Sequence, residues 1–279
     1  MLKNSNFKNQ MISKIKKIKA IYIISIIKFN EVYSSGHLKC IKYGGKEYKY
    51  NLVIVCTGSN SFLVNKLFGN QFINNSYKEK SITTILKHNS LENNIARQIF
   101  LNNEILALLP VSNTKTSIVW SVKNDLYKKN DKIIKEKIKF YVKDFIGKIS
   151  FTEKIESKDL NFLICKNYYK DRILLFGDAL HVVHPFAGQG FNMTIRDLES
   201  LEKILYKKLN LGLDIGTADI LEEFSSKTKP RNFIYSMGID LIKNTFSFKK
   251  FRNNVLKILN KSNMAKNMFY DIANQGFKF

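Results

Sequence analysis

The segment GDALHVVHPFAGQGFN, residues 177–192, decides how this chain is read. It is entered from a short apolar run, ILLF at 173–176, and left through a helical pattern. An apolar run of that length bounded by glycine reads as a strand of the parallel type, buried on both faces. Gly177-Asp178 then sets a carboxylate at the carboxyl edge of a sheet, where open α/β folds bind their ligands. There Asp178 can accept hydrogen bonds from sugar hydroxyls. Gly188 and Gly190 bracket Gln189 just before the helix, so bare backbone can approach a ligand with no Cβ in the way. The unpaired N–H groups and positive dipole end of that helix favour an electron-rich ligand atom. Taken singly, Asp178 as a helix cap and the glycines as a turn are equally good readings. Their convergence on one place points to a ligand. His181 and His184 form an H-x-x-H pair, but with only His37 and His88 elsewhere they do not make a metal set.

Working outward, Phe191, Ile195, Leu198, Leu201 and Leu205 mark the apolar face predicted for the helix after the motif. Upstream, LVIVC at 52–56 is a second run of the kind buried on both faces, closed by TGSNS at 57–61 with a Ser or Asn available as helix cap. Residues 31–49 alternate loosely around Gly36 and Gly44-Gly45, which predicts a hairpin. Between 81 and 122 the pattern is antiparallel, with 104–109 and 117–122 flanking the turn Ser112-Asn113-Thr114. Residues 132–145 read as a helix with a lysine-rich outer face, and 221–279 as mostly helical. At the front, Phe7, Met11, Ile15 and Ile18 space a helix over 7–20, and the apolar run 20–27 reads as a strand. No internal repeat is present.

At 279 residues with 44% hydrophobic content the chain can bury one large or two modest cores. A formal charge of +23 invites a nucleic-acid or membrane reading. Only five basic residues are arginine (Arg97, Arg172, Arg196, Arg231, Arg252), and the lysines are spread along a chain also rich in isoleucine and asparagine. Drift in codon usage explains that pattern better than a selected polyanion site. Cys40, Cys56 and Cys165 are too few and too scattered for a disulfide framework, which fits a reducing cytoplasm. The run at 20–27 is far short of the roughly 20 residues that span a bilayer. The lysines at 14–19 before it imitate a signal peptide, but no small-residue cleavage site follows.

The stretch GDALHVVHPFAGQGFNMTIRDLESL closely resembles the second flavin fingerprint of the para-hydroxybenzoate-hydroxylase-like monooxygenases. Within them it is most similar to the ring hydroxylases of ubiquinone biosynthesis, with G-D-A-A-H, then H-P-x-A-G-Q-G-x-N, then R-D. LVIVCTGSNSFLVNKLFG resembles the family's strand plus A-D-G-A-x-S motif, ALLPVSNTKTSIVWS its substrate-domain hairpin, and KPRNFIYSMGIDLIKNTFS its C-terminal helices. The coverage is nearly end to end. In the second stretch Thr57 stands where the family has aspartate, while Gly58 and Ser61 are kept. The G-x-G-x-x-G that opens the family is absent from these residues, and Met1 falls on the order of a hundred residues into it, about three βαβ-sized units. The reading therefore expects a start lying upstream or a fragment.

The resemblance implies an α/β (α+β) fold: a truncated FAD-binding Rossmann-like domain with an inserted antiparallel-sheet substrate domain and C-terminal helices. The divisions expected are 1–66 for the remaining FAD-binding part, 67–165 for the substrate domain, 166–225 for the second flavin motif and 226–279 for the C-terminal helices. It implies FAD as cofactor and NAD(P)H as reductant. Asp178 would bind the ribityl chain, Pro185 would lie against the isoalloxazine face, and backbone N–H groups around Gly188, Gln189 and Gly190 would face the pyrimidine edge. Gly177 and Asn192 complete the cofactor-binding set, with no catalytic side chain and no metal. The implied reaction hydroxylates the ring of a polyprenylated phenol with O2, orienting ring against flavin and excluding water. Such a substrate implies peripheral contact with the inner face of a membrane, which lysines would assist, and contact with other quinone-pathway enzymes. An inactive remnant of the fold and a polyanion-binding protein on a borrowed scaffold are the competing readings.

Overall fold

The computed structural model describes residues 4–25, 31–59, 61–69, 71–101, 104–125, 127, 130–185 and 188–246, with a few isolated positions beyond. The helices expected over 226–279 are therefore seen as far as Phe246, and the rest of that expectation lies outside the described residues, as do Asn60, Phe186 and Ala187. The fold is mixed α/β. The chain divides into two compact units, Met1–Ser25 with Ser76–Leu160, and Ile26–Asn75 with Asn161–Phe279.

The first unit is built on an antiparallel sheet. Its strands are β5 (Phe72–His88, which enters from the other unit), β6 (Arg97–Phe100), β7 (Glu104–Ser112), β8 (Lys115–Lys123), β9 (Ile149–Phe151) and β10 (Glu156–Cys165). The order is β10-β5-β8-β7-β6, with β9 also paired to β5. The expected hairpin is β7–β8, registered Leu106↔Trp120 and Leu108↔Ile118. Alternation buries Ile82, Leu86, Leu106, Leu108, Ile118 and Trp120 on one face, and α3 (Asp131–Ile146) covers them with Ile134, Ile138, Val142 and Ile146, one residue per turn. Asn130 caps α3 by accepting from the Lys132 and Ile133 N–H groups at 2.9 and 3.3 Å. The one tryptophan donates to buried Glu104 at 3.1 Å, so its indole N–H is not left unpaired in the core.

In this unit the reading of the front of the chain is corrected. The helix α1 spans Asn4–Ile15, shorter than the expected 7–20. Residues 20–25 form no strand, and 26–27 lie outside the described residues. Ile21, Tyr22, Ile23 and Ile24 are exposed, Tyr22 by 83%, and no neighbouring strand supplies the ladder that an apolar run needs to become one.

The second unit carries a meander and a small sheet. The strands β1 (Glu31–Ser35), β2 (Leu38–Tyr43) and β3 (Lys46–Tyr50) form the meander, where one hairpin was expected. Both glycine turns are used. The small sheet is β11 (Tyr169–Lys170), β12 (Ile173–Leu175) and β4 (Val53–Val55), in the order β11-β12-β4. As the apolar runs implied, β4 and β12 are parallel, registered Ile173↔Val53, Leu174↔Ile54 and Leu175↔Val55. Burial of β4 on both faces is not met, because Val55 is buried while Ile54 is 41% exposed. The helix α2 (Phe62–Phe68) starts at Ser61, whose side chain makes no capping bond. Beyond it come a 3-10 turn (Gly177–Ala179), β13 (His181–Val182), α4 (Gln189–Asn210) and α5 (Ala218–Phe246). β13 pairs with the end of β10, Leu163↔Val182 and Ile164↔His181. Val55, Val64, Phe68, Leu174, Leu175 and Phe224 are at the centre of the core.

Two ion pairs secure the turn that feeds β12. Asp171 and Arg172 both have positive φ, 43° and 21°, a costly conformation for side chains with a Cβ. Lys39 holds Asp171 at 2.6 Å, and Arg172 holds Asp214 at 2.8 Å while donating to the Asn51 carbonyl at 3.0 Å. Asp214 also accepts from the Gly216 N–H at 3.0 Å. Arg172 and that N–H hold the Asp214 carboxyl down to about 2.

A Cβ at Gly216 would overlap the Asn51 carbonyl oxygen and crowd Arg172 Nη1 at 2.5 Å. Gly216→Ala is therefore expected to destabilise by about 1–3 kcal/mol, the range for forced overpacking, read as a lowered urea midpoint. The Asp214 pKa is depressed in the folded state, so its contribution is complete above its unfolded value of 3.8 and is lost as pH falls towards about 2. Asp214→Asn should cost stability at neutral pH, with the gap to wild type closing between pH 4 and 2 in melting curves. A gap independent of pH would show that the clamp is not ionic.

Candidate functional site

The parallel pair fixes where the motif begins. Phe176 N–H donates to the Val55 carbonyl at 3.0 Å, which ends the ladder, and Gly177 then turns the chain out of the sheet at φ 64°. The 3-10 turn closes when Leu180 N–H returns to the Gly177 carbonyl at 2.8 Å. Within it Gly177 and Ala179 are buried, while Asp178 is exposed at the carboxyl end of β12. That is the place and the exposure expected of a carboxylate that receives a ligand's hydroxyls.

The other side of the site is the start of α4. Gly188 is its N-cap in the left-handed region, φ 65° and ψ 27°, with open space where a Cβ would stand. Its N–H donates to the Pro185 carbonyl at 3.0 Å, so of the backbone groups expected to face a ligand this one is already engaged. Gln189 is buried and its amide oxygen accepts from the Tyr235 hydroxyl at 2.7 Å and from Asn192 at 3.3 Å. Gln189 and Asn192 therefore turn their side chains towards the protein, leaving the backbone of the first turn as the ligand-facing feature. Pro185 is partly exposed. An ideal Cβ on Gly177 would lie 3.7 Å from Thr194, and one on Gly190 would lie 3.8 Å from Val183, so the two sides of the site are packed together.

The apolar face predicted for α4 is corrected. Phe191 is 62% exposed, and Ile195 and Leu198 are exposed as well. The buried side consists of Gln189, Met193, Asp197, Ser200, Leu201 and Ile204. Only Leu201 is shared by both sets. The helix is rotated because a polar network, not an apolar seam, draws it inward. Asp197, 0% exposed, accepts from His181 Nε2 at 2.8 Å, from Arg231 Nη2 at 3.0 Å, and from Asn232 Nδ2 at 3.1 and 2.9 Å. Asn232 also donates to the buried Tyr168 hydroxyl at 3.4 Å, and burial raises the Tyr168 pKa well above that of an ordinary phenol. His181, read as half of an H-x-x-H pair, spends Nε2 on this carboxylate, and His184 is buried. Among the described residues no group of three or more His, Cys, Asp or Glu could hold a metal ion. Asp197 lies in the Arg-Asp pair of the motif, but a polar residue in an amphipathic helix reads as facing solvent, so periodicity hides it.

A separate cavity of about 790 Å³ lies along α5, lined by Cys165, Tyr168, Tyr169, Glu222, Lys229 and Phe233 among others, and by none of the motif residues expected to bind cofactor. All three cysteines are free, as their number implied. Among the described residues no helix is long and apolar enough to cross a membrane.

The strand end, the exposed aspartate and the glycine-opened helix define a nucleotide-cofactor fold, and the chain belongs to the FAD binding domain family, which matches residues 44–232. It is similar to the mitochondrial ubiquinone biosynthesis monooxygenase COQ6 of Dictyostelium discoideum, 25% identical over 98% of this chain and 67% of that protein. It also resembles the human COQ6, 28% identical over 73% of the chain and 51% of the relative, and the ubiquinone hydroxylase UbiL of Rhodospirillum rubrum, 28% identical over 61% and 41%. The chain thus spans about half to two thirds of the length of these relatives. Among solved structures, the flavin-dependent brominase Bmp2 superposes with a TM-score of 0.73 at 15% identity, covering 100% of this chain and 71% of that one. Klebsiella pneumoniae HpxO complexed with FAD gives 0.71 at 14%, covering 88% and 67%. At these identities the two structures bear on the fold alone.

Proposed function

We propose that this chain is the flavin-cradling and substrate-binding portion of an FAD-dependent monooxygenase that hydroxylates the aromatic ring of a polyprenylated phenol in ubiquinone biosynthesis. The observation that carries the reading is the meeting of exposed Asp178, at the carboxyl end of β12, with the left-handed Gly188 that opens α4. A carboxylate and a helix N-terminus with no Cβ in the way suit the ribityl and ring ends of a flavin, so the residues present fit the group. The names of the similar proteins supply the substrate class.

In this reading FAD, when bound, carries electrons from NAD(P)H to O2 and delivers one oxygen atom to the phenol ring. The protein's residues hold and orient. Asp178 accepts the ribityl hydroxyls, Pro185 lies along the ring face, and the first turn of α4 around Gly190 presents N–H groups and the helix dipole to charge on the ring edge. Gly177, Gln189 and Asn192 shape the cradle, the last two by locking the turn to Tyr235. The antiparallel unit is assigned the phenol. No side-chain nucleophile is required, because orientation and exclusion of water are what the protein contributes. The isoprenoid tail places the work at a membrane surface, approached from the inner face.

Titration of the purified chain with FAD, followed by flavin fluorescence, tests this. Saturable binding is expected, and Asp178→Ala should weaken it by about tenfold to a hundredfold, since hydrogen bonds to a charged group contribute about 1.5–3 kcal/mol. Absence of FAD uptake by the wild-type chain contradicts the reading.

A further inference from the structure

The two sides of the flavin cradle belong to separate pieces of backbone, and one buried carboxylate joins them. Asp178 lies three residues before His181, and the 3-10 turn between them is closed by the Leu180–Gly177 hydrogen bond. The His181 backbone is itself fixed by its pairing with Ile164 in β10. On the other side, Asp197 follows Gly190 by seven residues, about two helical turns, so Gly190, Met193, Thr194 and Asp197 look the same way from α4. That face meets the 177–183 backbone at each level. Gly190 stands beside Val183, Met193 packs with Val183, Thr194 stands beside Gly177, and Asp197 binds His181.

Of these contacts only the last is directional. Each Asp197 oxygen takes two donors, Oδ1 from Arg231 and Asn232 and Oδ2 from His181 and Asn232. The carboxylate is an acceptor only, so the His181 proton that faces it is on Nε2. Arg231, partly exposed, supplies the countercharge that lets a fully buried carboxylate stay ionised. A second latch acts at the start of the same helix, where the Arg196 guanidinium lies 4.4 Å above the Tyr235 ring and the Tyr235 hydroxyl holds Gln189. Both latches run between α4 and α5.

We propose that Asp197 is a positioning residue for the flavin. By anchoring His181 to α4 it sets the spacing between the Asp178 carboxylate and the N-terminus of α4, and therefore whether one FAD can engage both at once. The inference rests on the functional reading above. Nothing in it requires Asp197 to touch the cofactor.

The test is Asp197→Asn in the full chain. Asparagine keeps the volume, can still accept from Arg231 or Asn232, and can pair with His181 through the other tautomer, so the helix stays packed while the saturated carboxylate is lost. Circular dichroism in the far ultraviolet and the melting temperature without FAD are expected to stay close to wild type. The FAD dissociation constant should rise on the order of tenfold or more, as for loss of an orienting partner behind a ligand. The visible circular dichroism of bound flavin, which reports how the ring sits in its asymmetric pocket, should change as well. His181→Asn, which leaves the Arg231–Asp197–Asn232 set intact, carries the same expectation and decides the matter if Asp197→Asn does not fold. Wild-type FAD affinity and an unchanged visible spectrum in the folded variant overturn the proposal. A wild-type chain that takes up no FAD overturns the functional reading beneath it, so the two failures are told apart.

Discussion

The parallel pairing of β4 with β12 is the constraint from which the site follows. It joins residues 53–55 to residues 173–175 across the intervening antiparallel unit, and the loop that must close to form it is long. Three residue pairs alone would not hold such a closure. The Arg172 clamp to Asn51 and Asp214 adds charge-assisted bonds at the entry of both strands, and Lys39 restrains Asp171 where the backbone is forced to positive φ. With the strands so registered, Phe176 ends the ladder and Gly177-Asp178 has to emerge at the carboxyl edge.

From that edge onward polar bonds, more than apolar packing, set the geometry. The half of α4 nearest the cradle buries Gln189 and Asp197 and leaves Phe191 and Ile195 exposed. A buried carboxylate with four donors is costly to assemble and costly to disturb, which makes it a poor source of net stability and a good source of unique register. The same trade appears in the other unit at Glu104, which collects Trp120, Tyr141 and Lys137 beneath α3. In each unit a long helix is indexed to the rest of its fold by one acidic side chain.

Strands, glycine turns and caps were legible in the sequence because their causes are local. LVIVC and ILLF announced two parallel strands, Ser112-Asn113-Thr114 announced the β7–β8 hairpin, and the glycine pattern announced the opening of α4. What escaped was decided at a distance. The rotation of α4 depends on Arg231 and Asn232, more than thirty residues further on, and periodicity has no access to them. The run at 20–27 has the composition of a strand, but its described residues find no ladder, and composition cannot supply one. Of the candidate site, Asp178 and the glycines were readable from spacing, and the His181–Asp197 anchor was visible only as two letters of a motif with no role attached.

Hydrogen exchange of the whole chain with and without FAD bears most directly on the account. Protection on binding should concentrate in 177–194, the segment that runs from the Asp178 turn through the first turns of α4. Protection confined to other segments, such as the cavity lined by Tyr169 and Lys229, would contradict the placement of the cofactor and with it the account as a whole.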